Sequence, residues 1–597
     1  MVTTAQFRQA LRVGPAGDGW HKPALSAVVT LGALNLTLLG LGRLDLALYT
    51  SAGGLGALYG HGLPYRARAR TLAGVLLGTV LSTGAALTAA ALTRDAAVLV
   101  AVAAVLAALH KLFCDAARIG PPGSLIITFT SASCAFLPQR LAEVPPHLAL
   151  TALGAALAWL VCMAPALVRP YGPERIATAR ALEAAARLLR TGPDRPEPDA
   201  AARTALVGAV ETAWQSLALS TPSRRRALGD APERLLVRAE AALAGPARPE
   251  DAARYLDLAR DLRRGRPLPT LDLTEAEAAE PSARCSGPRP PLRRALRPGS
   301  ALLPIALRVA VGCAGAGWIS LALGVGRPYW AVVTAASVFQ ANSTLSWQRA
   351  LQRVLGNLLG LLLFTAALPV AHTGPVALIG LGLVCQFGAE ATIARSYWLA
   401  TVFVTPMALL MTEFAGPQPA GALIADRWLD TCVGALAGLT ACLLVTNRRT
   451  AARLTRALAG AEAAGHRASA AVRAALPVAP SSLALPVAPA PGVRAVAGAL
   501  AASTPDALAA RTGLAAALLE LREATDTAAG EWRRPALPHQ RATATEQQAH
   551  HLLAALLEHR GRGGLSDPGP ALPDTARAAT GTAGAATGTA GAATGTA

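Results

Sequence analysis

The chain has 597 residues, 53% hydrophobic and 15% charged, where an ordinary soluble domain carries about 25% charged residues; a wholly soluble protein is excluded. The formal charge of +19 does not indicate nucleic acid, because Lys22 and Lys111 are the only lysines and the arginines keep acidic company, as in Arg254-Tyr-Leu-Asp257-Leu-Ala-Arg260-Asp261. The eight cysteines stand singly with no CxxC pair, which leaves no zinc or redox motif.

In chain order, Arg8, Arg12 and Lys22 precede an apolar stretch that reads as an uncleaved first span, because more apolar segments follow at once. The first block of segments runs Pro23–Leu41, Leu46–Gly60, Thr71–Leu92, Ala96–Leu109, Leu125–Leu137 and Leu148–Val168. Next comes a helical, arginine-rich stretch, Glu174–Arg264, and a proline- and arginine-rich linker, Pro267–Pro298. The second block runs Ala301–Leu323, Tyr329–Ala341, Val354–Val370, Pro375–Gly388, Tyr397–Phe414 and Ile424–Val445. Helical stretches around a Pro/Ala/Val-rich linker at Leu476–Pro491 continue to His559, and the repetitive tail from Thr575 is expected to be disordered. A spanning helix needs about 20 residues. Segment lengths in both blocks read long, short, long, short, variable, long, which predicts ten to twelve spans.

Basic residues concentrate on alternate loops: Arg66-Ala-Arg68-Ala-Arg70, Lys111/Arg118, 171–299, Arg349/Arg353, Glu390/Arg395 and Arg448-Arg449. The positive-inside bias assigns these and both termini to the cytoplasmic side of a plasma (inner) membrane. Both blocks then start on the same side, as parallel repeats related by an axis along the membrane normal. The repeat also shows in residues. Arg70-x-x-x-Gly74-x-x-x-Gly78 matches Gln352-x-x-x-Gly356-x-x-x-Gly360, and Gly42-Arg43 with Thr50 matches Gly326-Arg327 with Thr334. The expected fold is all-α: a polytopic membrane protein with two parallel repeats of about six hydrophobic helices, plus cytoplasmic helical segments. The divisions are 1–170 and 300–446 for the membrane repeats, 171–299 and 447–562 for the cytoplasmic segments, and 563–597 for the tail.

No catalytic residue, cofactor or metal site is indicated. Neither lysine follows a glycine as a phosphate-cradling loop requires, no G-x-S-x-G elbow occurs, and His550 and His551 near His559 read as a solvated helix face. The densest constellation lies in the second block. It comprises Gly326-Arg327-Pro328-Tyr329-Trp330-Ala331, then Trp347-Gln-Arg349-Ala-Leu-Gln352-Arg353-Val-Leu-Gly356-Asn357-Leu-Leu-Gly360. Further on come Arg395-Ser396-Tyr397-Trp398, Thr405-Pro406, Glu413 and Asp426-Arg427-Trp-Leu-Asp430-Thr431.

On a helix Arg349, Arg353, Gly356 and Gly360 share one face. The glycines, like Gly74 and Gly78, suit close helix packing. The arginines suit bidentate capture of a carboxylate or, equally, lipid phosphate. Asp430 inside an apolar span is costly; it either pairs with Arg427 three residues earlier or serves proton or substrate coupling. Tyr329 and Trp330 read as an interfacial belt or a stacking platform, while Asn357 and Thr405 are mid-span polar groups that suit a cavity lining. The substrate-path candidates are therefore Arg327, Tyr329, Trp330, Arg349, Arg353, Asn357, Thr405, Arg427 and Asp430.

These second-block motifs, with Pro121-Pro122-Gly123 in the first block, resemble the fusaric acid resistance family of integral membrane proteins. That family includes bacterial exporters of aromatic carboxylic acids, with the plant aluminium-activated malate channels as distant relatives. The resemblance covers both membrane blocks. It implies a secondary exporter of aromatic or other organic acids, with an organic-anion channel and a non-transporting scaffold as alternatives. The implied partners are a small organic anion and membrane lipids, with self-association left open. One departure stands against a symmetric arginine gate: the first copy has Ala67 and Thr71 where the second has Arg349 and Arg353.

Overall fold

An apolar run inside a bilayer satisfies its backbone N–H and C=O groups internally only as a helix or a closed barrel. Every element among the described residues is helical. The computed structural model describes residues 4–14, 19–190, 196–220, 231–243, 249–266, 300, 302–340, 342–414, 416, 418–444, 449–475, 505–529 and 539–557. Both linkers and the repetitive tail lie outside the described residues.

After α1 (Thr4–Leu11), the first repeat comprises α2 (His21–Gly40), α3 (Ala47–Gly54) with a 3-10 turn at Leu55–Leu58, α4 (Tyr65–Leu92), α5 (Ala96–Ala116), α6 (Leu125–Ala135) and α7 (Val144–Met163). The short α8 (Pro165–Val168) leads into α9 (Gly172–Arg190), α10 (Pro196–Leu219), α11 (Ala231–Ala241) and α12 (Pro249–Arg264). The second repeat comprises α13 (Leu302–Ala322), α14 (Tyr329–Val338), α15 (Ser343–Ala371), α16 (Pro375–Ile393), α17 (Tyr397–Glu413) and α18 (Ala420–Leu444). It is followed by α19 (Arg449–Ala475), α20 (Pro505–Ala529) and α21 (His539–Leu557).

Among the described residues eight stretches, four per repeat, are long and apolar enough to cross a membrane, so the protein is multi-pass, with fewer such stretches there than the expected ten to twelve spans. The excess came from α3, α6, α14 and α17. The ten residues of α14 extend about 15 Å at 1.5 Å each, half of an apolar core about 30 Å thick. The fourth helix of each repeat errs the other way. Expected to end at Leu109 and Gly388, α5 and α16 continue to Ala116 and Ile393. Lys111 is accommodated because its ammonium pairs with Asp115 one turn on, at 2.9 Å. Gln386 and Glu390 are accommodated because they face an internal cavity.

The two repeats make equivalent contacts. The first helix packs on the second and last of its own repeat, the third packs on the fifth and last, and α2 and α13 each pack on the fourth helix of the other repeat. This is the pattern of two copies related by a twofold. The soluble segments do not fold apart. Leu182, Leu206, Trp214 and Leu235 from α9–α11 share one core with Leu514, Leu518 and Leu553 from α20 and α21. Arg511 and Glu240, both buried, approach to 3.7 Å across that joint. The N-terminal segment is tied to the second repeat, where Gln352 Nε2 donates to the Ala10 carbonyl (2.5 Å) and Gly14 N to that of Arg395 (2.8 Å).

Gly356 and Gly360 lie where α15 meets α17. A Cβ on Gly360 would sit 2.7 Å from Thr405 Cβ and 2.9 Å from the Val402 carbonyl oxygen, and one on Gly356 would strike the Trp398 carbonyl and Thr401. The expectation that Gly74 and Gly78 form the matching seam is overturned: a Cβ on either would meet nothing within 4 Å, since α4 turns that face away from its neighbours. Gly360→Ala should therefore destabilise the purified protein by about 1–3 kcal/mol through overpacking. Gly78→Ala should be neutral or stabilise by up to about 1 kcal/mol through helix propensity. Thermal unfolding in detergent checks both, and equal effects would refute the asymmetry.

Candidate functional site

The site grows from the placement of α14. Except for Ala336, every residue of this helix is buried. It lies against α18 because Gly434 offers no side chain; a Cβ there would be 2.5 Å from the Ala331 carbonyl oxygen and 2.7 Å from Thr334 Cβ. Two turns earlier on α18, the Arg427 guanidinium carbon sits 3.9 Å above the Trp330 ring. The Trp330 ring also stacks on Phe129 of α6, at 5.6 Å between centroids. Arg427 is 1% exposed, and none of its three guanidinium nitrogens has a hydrogen-bond acceptor among the described residues. A desolvated cation–π contact gives roughly 2 kcal/mol, well short of what removing a charge from water costs. The geometry suits an anion arriving beside the ring.

Arg353 on α15 is 3% exposed. One Nη donates to the Tyr397 hydroxyl at 3.3 Å, while its Nε has no acceptor among the described residues. Tyr397 also offers its ring face to Arg349, whose guanidinium carbon is 3.8 Å from the centroid. Arg349 additionally donates to Gln340 Oε1 at 3.4 Å. One tyrosine thus positions both arginines of the motif.

Arg353, Arg427 and Trp330 line one cavity of about 650 Å³ between the two repeats and the soluble bundle. Lys22, Arg169, Arg180 and Arg263 also line it, against a single acid, Glu390. Arg263 is matched outside the lining by Glu183, at 2.7 and 2.8 Å. Apolar walls come from Leu55, Leu58, Ile126, Phe129, Val404 and Met407. A cationic, partly aromatic chamber follows, of a size that holds a drug-sized organic anion.

Other residues singled out in the sequence lie behind or away from this chamber. Asn357 accepts from Thr405 Oγ1 at 3.0 Å, bracing α15 on α17. Asp430 accepts from Ser320 Oγ at 2.5 Å and makes no ion pair with Arg427, whose side chain turns to Trp330 instead; the paired reading is overturned. Arg327 bonds Asp426 (3.4 Å) and Gln418 (3.2 Å), outside the cavity lining. Tyr329 packs on Phe136 at 5.8 Å. The interfacial-belt reading of Tyr329 and Trp330 is overturned as well, since they are 9% and 2% exposed. Sequence reasoning named Tyr397 within a motif and Glu390 within a loop without choosing either as a site residue, and it did not name Gln386. The last two carried a signal, being polar groups four residues apart on one face of a 19-residue apolar helix.

Tyr397→Phe keeps the ring beneath Arg349 and removes the hydroxyl that accepts from Arg353. The protein should stay folded while organic-anion affinity falls about two- to tenfold, the worth of one net hydrogen bond. Titration of the purified variant with an aromatic carboxylate checks this, and unchanged affinity would remove Tyr397 from the site.

Residues 314–459 match the family described as fusaric acid resistance protein-like. An uncharacterized membrane protein, YvaC, of Bacillus subtilis (strain 168) is 33% identical over 166 residues, 27% of this chain and 26% of that relative. The uncharacterized protein slr1298 of Synechocystis sp. (strain ATCC 27184 / PCC 6803 / Kazusa) is 28% identical over 140 residues, 24% of this chain and 18% of the relative. The chain thus spans about a quarter or less of these curated relatives. No solved structure matches. The second repeat, which holds Arg353, Tyr397, Arg427 and Trp330, therefore carries the fusaric acid resistance protein-like sequence that its motifs resemble.

Proposed function

We propose that this protein is a secondary transporter exporting organic acids, aromatic carboxylates foremost, across the plasma membrane, with the soluble bundle and both termini in the cytoplasm. The observation that carries the reading is Arg427: a buried guanidinium with no acceptor, laid on an indole, in a chamber whose lining is strongly cationic. A carboxylate there receives charge-assisted bonds from Arg427 or Arg353, and the attached ring stacks against Trp330 and Phe129. The lining reaches Trp330 and Arg427 but does not include Arg327, Asp426 or Gln418. A chamber that stops partway favours a carrier, which moves its substrate by rocking one repeat against the other, over a continuous channel. Asp430 lies one turn from Arg427 with one carboxylate oxygen unpartnered. In this reading its carboxylate compensates the guanidinium after the anion departs and takes up a proton when the next anion binds, which links transport to a proton.

Uptake of labelled aromatic carboxylates into inverted membrane vesicles tests the reading. Uptake should require an ion gradient, and Arg353→Ala should reduce affinity roughly tenfold or more, the loss of one bond to a charged group. Uptake indifferent to an uncoupler would indicate a channel, and no uptake of any organic anion would point to a scaffold. Asp430→Asn should retain binding while losing dependence on the pH gradient. Normal gradient-driven uptake in that variant would remove Asp430 from coupling.

A further inference from the structure

The chamber has two cationic ends. Along α17 its lining runs Tyr397, Ala400, Thr401, Val404, Met407 and Ala408, a single helical stripe about 16 Å long at 1.5 Å per residue. Arg427 and Arg353 line its buried part, at 1% and 3% exposed. The end beside the soluble bundle holds Lys22 of α2, partly exposed, and the exposed Arg169, with Arg180 of α9 and Arg263 of α12. Neither Lys22 nor Arg169 has an ion-pair partner among the described residues. Between the ends the walls are largely apolar. The volume of about 650 Å³ lies well inside the range for drug-sized ligands and far exceeds a single-ring acid.

Resting on the transport reading above, we propose that the preferred substrate is an elongated aromatic dianion. One carboxylate meets Arg427 and Arg353, the ring system lies against Trp330 and Phe129, and the second anionic group is held at the bundle end by Lys22 and Arg169. The soluble bundle is then part of the binding site, because Arg180 of α9 and Gln215 of α10 close that end of the chamber. A monoanion fills the inner end and leaves the outer cations unmatched.

The test compares two probes of equal ring size, biphenyl monocarboxylate and a biphenyl dicarboxylate with one carboxylate at each end. Each is titrated into the full-length protein purified in detergent. The dicarboxylate should bind at least about tenfold more tightly, as a second charge-assisted contact implies. In the double variant Lys22→Gln with Arg169→Gln, the ratio of dicarboxylate to monocarboxylate affinity should fall to about one. Both residues are at least partly exposed, and the melting temperature verifies that the variant is folded. Equal affinities for the two probes in the wild type overturn the proposal, and so does a double variant that weakens both alike, the signature of a general electrostatic funnel. In either case monocarboxylate binding that is lost in Arg427→Gln leaves the transport reading standing. Binding of neither probe overturns both.

Discussion

A helix too short to cross the membrane can be held inside it only if a neighbour lets its backbone approach closely. Gly434 meets this condition for α14, by leaving room for the Ala331 carbonyl and Thr334. Gly154 does the same for α3, where an added Cβ would collide with Thr50. The position of Trp330 beneath Arg427, and with it the floor of the chamber, depends on this contact. The same contact in both repeats explains why the short helices recur, and why Thr50 and Thr334 occupy matching places in the two copies.

The copies share a frame but not their charges. Seven residues before Gly434 stands Arg427; seven before Gly154 stands His147, stacked flat on Tyr49 at 4.0 Å and bonded to Gln139. Arg353 has Thr71 as its counterpart. The first repeat does bury an arginine, Arg68, but three carbonyls accept from it, those of Gly60, His61 and Cys162, at 3.0, 2.6 and 3.3 Å. A guanidinium bonded in this way holds the fold together, with each of its three nitrogens donating to a carbonyl. Arg427 has only an aromatic face. Two buried arginines thus differ in kind: Arg68 is bonded to three carbonyls, whereas Arg427 lies on a ring with no acceptor among the described residues.

The union of the soluble segments has a consequence for that chamber. The chain from α9 to α12 and the chain from α19 to α21 complete one hydrophobic core, so the roof above Lys22 rests on residues that follow both membrane repeats. Each segment alone presents an apolar face that the other covers. Burial at about 25 cal/mol per Å² makes their association the expected outcome once both emerge on one side of the membrane.

The apolar runs, their spacing and the loop arginines were enough to specify a multi-pass helical protein with an internal repeat, because a bilayer admits few other arrangements. The motifs around Arg353 and Arg427 lie in the stretch that matches the fusaric acid resistance protein-like family. Composition along the chain could not say which polar residues face lipid and which face a cavity. Trp330 and Tyr329 therefore read as a belt, Lys111 and Glu390 read as helix ends, and Gly74 and Gly78 read as a seam. Each depends on which neighbour lies opposite, a matter of packing between segments distant in sequence. Tertiary structure alone brought Lys22, Arg353 and Arg427 to one chamber, left Asp430 to Ser320, and left the Arg427 guanidinium without an acceptor among the described residues, because only three-dimensional proximity decides which charges find partners.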